Sequence, residues 1–121
     1  MDRPLADLQH LAAKSLPLGL RKTSPNGREF FSNYFITNGR KFKLADKGPE
    51  RRYAQILVLG DRRPYTLDVV VQIEKVDANA PGGYSIVGTD VGIAKVVKKR
   101  LQSQLNKRRE DLNIIDDFRV F

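Results

Sequence analysis

The chain has 121 residues, 40% of them hydrophobic and 30% charged, with 22 Lys and Arg against 14 Asp and Glu and a formal net charge of +8 at pH 7. That length suits a single domain, residues 1–121, with its own core, and is too short for two domains of ordinary size. No Cys and one His exclude thiol nucleophiles, disulfides and the common Cys or multi-His metal sites. No apolar run reaches the roughly 18 residues of a membrane helix, so the sequence predicts a soluble chain with no metal or cofactor.

Residues 1–4 do not read as a signal peptide, because no apolar segment follows a basic start. The expected compartment is the cytoplasm, or the cell envelope if a leader is removed upstream of Asp2. The lack of Cys fits both.

The first predicted element is a helix over residues 2–16. Asp2 can cap it, Pro4 is tolerated in the first turn, and Leu5, Leu8, Leu11, Ala12 and Leu16 recur at helical spacing. Pro17 and Gly19 end it, and residues 18–28 read as a connector.

Residues 29–37 and 40–45 predict a β-hairpin. The first run is rich in aromatic and β-branched residues, the second alternates basic with apolar, and Asn38 and Gly39 supply the turn. The expected register sets Thr37 opposite Arg40 and Phe35 opposite Phe42. Phe31, Phe35, Phe42 and Leu44 then share one face, and Phe30, Tyr34, Ile36, Lys41 and Lys43 the other.

Residues 52–59 and 65–76 predict two further strands around a loop at 60–64. In the second, Leu67, Val69, Val71 and Ile73 alternate with Thr66, Asp68, Val70, Gln72 and Glu74, which predicts one buried and one partly wet face. A short strand at 84–87 follows. Thr89 or Asp90 can then cap a long helix running to about 109, with Val91, Ala94, Val97, Leu101 and Leu105 as its buried stripe and the Lys98 stem at the margin. Residues 112–121 read as a terminal strand. The predicted fold is α+β: an antiparallel sheet of about five strands with two helices packed on one face, in the order α-β-β-β-β-(β)-α-β.

Catalytic signals are sparse. His10 falls on a polar flank of the first helix with no partner to make it a general base. Asp116 and Asp117 would point to opposite faces of a strand. No Ser has a nucleophile-elbow context, and neither phosphate-binding glycine motif is present. An enzyme would require Asp68, Asp90, Asp116 or Asp117 to converge through folding. The expected function is therefore non-catalytic.

Binding signals are stronger. Residues 95–109 carry Lys95, Lys98, Lys99, Arg100, Lys107, Arg108 and Arg109 without one acidic residue, so no i±4 carboxylate offsets the charge within that stretch. Arg62 and Arg63 in the 60–64 loop, near Arg51 and Arg52, could grip a carboxylate or phosphate. The leading expectation is an interaction module that docks an acidic protein or anionic surface through Arg62, Arg63, Lys95, Lys99 and Arg109. The rival is a single-stranded nucleic-acid binder, RNA above all, using Tyr34, Lys41 and Lys43 on the outer hairpin face to stack bases and neutralise phosphates.

Overall fold

A computed structural model describes residues 3–39, 41–60, 65–112 and 118–120 of the chain. The elements are α1 (Arg3–Ser15), β1 (Leu20–Thr23), β2 (Glu29–Ser32), β3 (Phe35–Asn38), β4 (Lys41–Leu44), β5 (Glu50–Leu59), β6 (Tyr65–Val76), β7 (Tyr84–Thr89), α2 (Val91–Leu112) and β8 (Phe118–Val120).

The β5–β6 hairpin is the spine of the sheet, paired without interruption from Glu50 opposite Lys75 to Leu59 opposite Thr66. Its two outer edges are each shared. Along β5, β2 pairs with residues 55–57 and β3 meets Arg52, while β1 and β4 extend the sheet beyond β2 and β3. Along β6, β7 pairs antiparallel with residues 72–76 and β8 pairs parallel with residues 65–67. The architecture is thus the α+β fold that the alternation and the two helical patterns predict, with one parallel strand pair added at the end of the chain.

Both helices cover one face. Leu11, Ala12 and Leu16 of α1 and Ala94, Val97, Leu101 and Leu105 of α2 form a continuous core with Phe30, Phe35, Ala54, Ile56, Val58, Leu67, Val69 and Val71 of the sheet. The predicted alternation of β6 is observed over residues 67–71, with Leu67, Val69 and Val71 buried and Asp68 and Val70 only partly so, whereas Ile73, also expected in the core, is half-buried where the pairing with β7 shifts register. Val91 departs from the predicted α2 stripe. It sits at the first helical position, before the helix reaches the sheet, and is 64% exposed.

The hairpin differs from its expected form in three ways. First, residues 29–37 are not one strand: the chain breaks at Asn33 and Tyr34, between β2 and β3. The break shifts the alternation by one residue, so Phe30 is buried with Phe35 and Phe31 lies on the opposite face. Second, Asn38 stays in the strand opposite Lys41 and Gly39, at φ +63°, begins the turn. Thr37 therefore opposes Phe42 and Phe35 opposes Leu44. A slip of two residues keeps every side chain on its face, so Phe35 and Phe42 still meet diagonally, their rings edge-on at 5.1 Å. Third, part of the expected connector is β1. Its Arg21 and Lys22 hide the strand from hydrophobic patterning, and charged side chains suit an edge strand.

Ser32 bridges the break. Fully buried, its Oγ accepts the Ala54 backbone N–H at 2.8 Å and donates to the Asn33 carbonyl at 2.8 Å. A side chain thus replaces a ladder bond where the backbone turns away. Asn33 anchors the same corner to the α1–β1 connection, its Nδ2 donating to the Leu18 carbonyl at 2.7 Å and its backbone N–H to that of Gly19 at 3.1 Å.

Candidate functional site

Helix α2 starts at Asp90, as its capping chemistry predicts. The Asp90 Oδ1 accepts the Ile93 backbone N–H at 3.0 Å and the Asp90 carbonyl accepts that of Ala94 at 3.1 Å. With Ala94, Val97, Leu101 and Leu105 turned into the core, the helical period puts Lys95 and Lys99 on the solvent side, one turn apart. Lys98 at the margin ion-pairs with Asp68 of β6 at 3.4 Å. This contact joins residues thirty apart in sequence and removes Lys98 from the unpaired run. Arg109 belongs to α2, but its side chain lies outside the described residues, and so do Arg62 and Arg63.

A further cation joins this surface from α1. Lys14, in the last turn of that helix, lines a shallow open groove of about 440 Å³ together with Lys99, Arg100, Ser103 and Gln104. The Arg100 guanidinium lies 5.0 Å from the centre of the Phe42 ring, which fixes the cation at the groove. Among the described residues, no carboxylate lies within ion-pair distance of Lys14, Lys95, Lys99 or Arg100. Lys14 was not a sequence-level candidate. Its only signal is a basic residue in a last helical turn, where the dipole alone would explain it.

The two arginines of β5 are engaged within the fold. Arg51 stacks on Tyr34 and on Tyr84, with its guanidinium 3.6 Å from each ring centre. Its Nε pairs with Glu74 at 2.9 Å and its Nη1 donates to the Asp46 carbonyl. Arg52, on the other side of β5, pairs with Glu50 at 2.8 Å and Asp90 at 3.1 Å. The expected Arg51–Arg52 grip on an external anion is therefore divided between two internal networks.

Tyr34 is held in the same way. The Arg21 guanidinium lies 4.2 Å from its ring centre, Arg51 adds the 3.6 Å contact, and Tyr53 approaches edge-on at 5.8 Å. Lys41 and Lys43 are exposed, but the actual register sets them opposite Asn38 and Ile36. The hairpin does not place Lys43 across from Tyr34, where a stacked base and its phosphate would be shared.

Two of the acidic residues that could have converged do so. Asp68 and Asp90 line one cleft of about 280 Å³ beside β6. Each carboxylate is already committed: Asp68 to Lys98 and the Val69 N–H, Asp90 to Arg52 and the Ile93 N–H. Asp116 and Asp117 lie outside the described residues, and His10 is exposed on α1. Among the described residues, no cluster of His, Asp or Glu could hold a metal ion, and no helix is long and apolar enough to cross a membrane.

No protein-family model matches the chain, and no curated protein or solved structure matches it.

Proposed function

We propose that the protein is a non-catalytic interaction module whose helical face receives an acidic protein segment or a comparable anionic surface. One observation carries this reading: Lys14, Lys95, Lys99 and Arg100 gather on the exposed side of α1 and α2 with no described carboxylate within reach. Arg51 and Arg52 on the sheet are by contrast ion-paired within the fold, whereas Arg100 of the helical group contacts a ring, that of Phe42. Like charges one helical turn apart repel, and an anionic partner relieves that repulsion on binding. Ser103 and Gln104 add neutral hydrogen-bonding groups to the groove, which suits carboxylates. The basic run of α2 continues in sequence to Arg109, and Arg62 and Arg63 stand as candidates on their sequence alone.

The test uses a glutamate-rich peptide as probe, with Lys14, Lys95, Lys99 and Arg109 changed to Glu singly and together. Capture should weaken progressively and decline with added salt, while thermal unfolding shifts little because surface changes cost within about 0.5 kcal/mol. Capture untouched by the combined substitution overturns the proposal. Binding of single-stranded RNA whose salt-resistant part is lost in Tyr34→Ala and whose salt-dependent part falls in Lys43→Gln would transfer the function to the hairpin face.

A further inference from the structure

We propose that the cleft beside β6 binds a small aliphatic monocarboxylate. The cleft exists because β6 is covered unevenly. Residues 72–76 pair with β7 and residues 65–67 with β8, leaving residues 68–71 with no strand partner on that edge among the described residues. The Val71 carbonyl is taken by the Asp90 N–H at 2.9 Å, where the chain leaves β7 for α2. Among the described residues the opening between β7 and β8 spans about four residues, on the order of 13 Å. A compact molecule fits its 280 Å³, just under the usual range of ligand-site volumes.

The lining defines the ligand chemistry. Val69, Val71 and Ala94 give a buried apolar floor, and Val91 stands exposed at the mouth. Four charged side chains line the cleft: Asp68 pairs with Lys98, and Asp90 pairs with Arg52 of β5, which also pairs with Glu50. That leaves the Lys95 ammonium, exposed and without a described carboxylate in reach, together with the Thr89 hydroxyl. An exposed ammonium without a described partner, beside an apolar floor, fits one negative charge on an aliphatic body. The cleft shares Lys95 with the proposed acidic-partner surface and is separated from it by the apolar floor of Val69, Val71 and Ala94, which does not line the groove at Lys14 and Arg100.

The experiment is an amide chemical-shift titration of the full chain with hexanoate and, as the neutral match, hexanamide, at near-physiological salt. Saturable shifts at residues 69–71 and 89–95, about tenfold weaker binding of hexanamide, and a similar loss in Lys95→Gln are expected. Val91→Trp, placed at an exposed position, should block the mouth while leaving the spectrum elsewhere unchanged. Equal binding of acid and amide, or hexanoate shifts confined to Lys14, Lys99 and Arg100, overturns the proposal. So does an absence of shifts, or binding shown only by a peptide with a free C-terminal carboxylate.

Discussion

Asp90 divides its carboxylate between two elements: Oδ1 accepts the Ile93 N–H that opens α2, and Oδ2 accepts Arg52 Nε from the middle of the sheet at 3.1 Å. One side chain thereby caps the long helix and ties its start to β5. The consequence for stability can be separated by substitution. Asp90→Asn retains an oxygen for the cap and loses the ion pair, whereas Asp90→Ala loses both. The Ala variant should cost about 1–3 kcal/mol and the Asn variant about 1 kcal/mol, read by urea unfolding. Equal losses would show that the cap contributes nothing.

Ser32 should be among the least replaceable polar residues. Ser32→Ala strands the Ala54 N–H in a fully buried position, at a cost of about 1–3 kcal/mol. Hydrogen exchange gives the local readout: the Ala54 amide should exchange faster relative to its β5 neighbours. Uniform acceleration across β5 would point to global destabilisation without a specific role for the hydroxyl.

Arg51 and Tyr34 should be energetically coupled. Arg51→Lys keeps the charge near Glu74 but loses a planar cation stacked on two rings, and should cost about 1–2 kcal/mol. A double-mutant cycle with Tyr34→Leu should return a coupling of at least about 0.5 kcal/mol. Strictly additive losses would mean that the stack is geometric only. The same coupling makes Tyr34 a structural residue, so a loss of RNA binding in Tyr34→Ala counts toward a nucleic-acid role where unfolding shows that the fold is retained.

The Tyr53 phenol is held above its ordinary pKa of 10.0, first by burial and then by the nearby Glu74 carboxylate and Tyr34, with Arg21 opposing them. A folded-state pKa raised above the unfolded value means that the native state holds its proton longer. The associated stability is complete below the unfolded pKa, near 10, and is lost as pH rises through the folded one. Alkaline unfolding should therefore steepen above about pH 10, and Tyr53→Phe should flatten that limb. Phenolate absorbance should show one of the four tyrosines ionising late. If Tyr53→Phe leaves the alkaline limb unchanged, another group governs it.

What was legible in the sequence is what depends on local period. The 3.6-residue spacing of Ala94, Val97, Leu101 and Leu105 is enough to place Lys95 and Lys99 on the outside of α2. Strict alternation is enough to bury Leu67, Val69 and Val71, and Asp90 is legible as a cap from its position before the helix. These follow because each element must turn one face to a core, whatever lies across from it. Tertiary structure alone decided the rest. The break at Asn33 exchanged Phe30 for Phe31, because a one-residue irregularity inverts the faces before it relative to those after it and has no hydrophobic signature. The pairing of Lys98 with Asp68 and of Arg51 with Glu74, the joining of Lys14 to Lys99 and Arg100, and the cleft between β7 and β8 all require strands and helices distant in sequence to meet in one register. Charge composition is a sum over the chain, whereas which charges remain unpaired is set by packing.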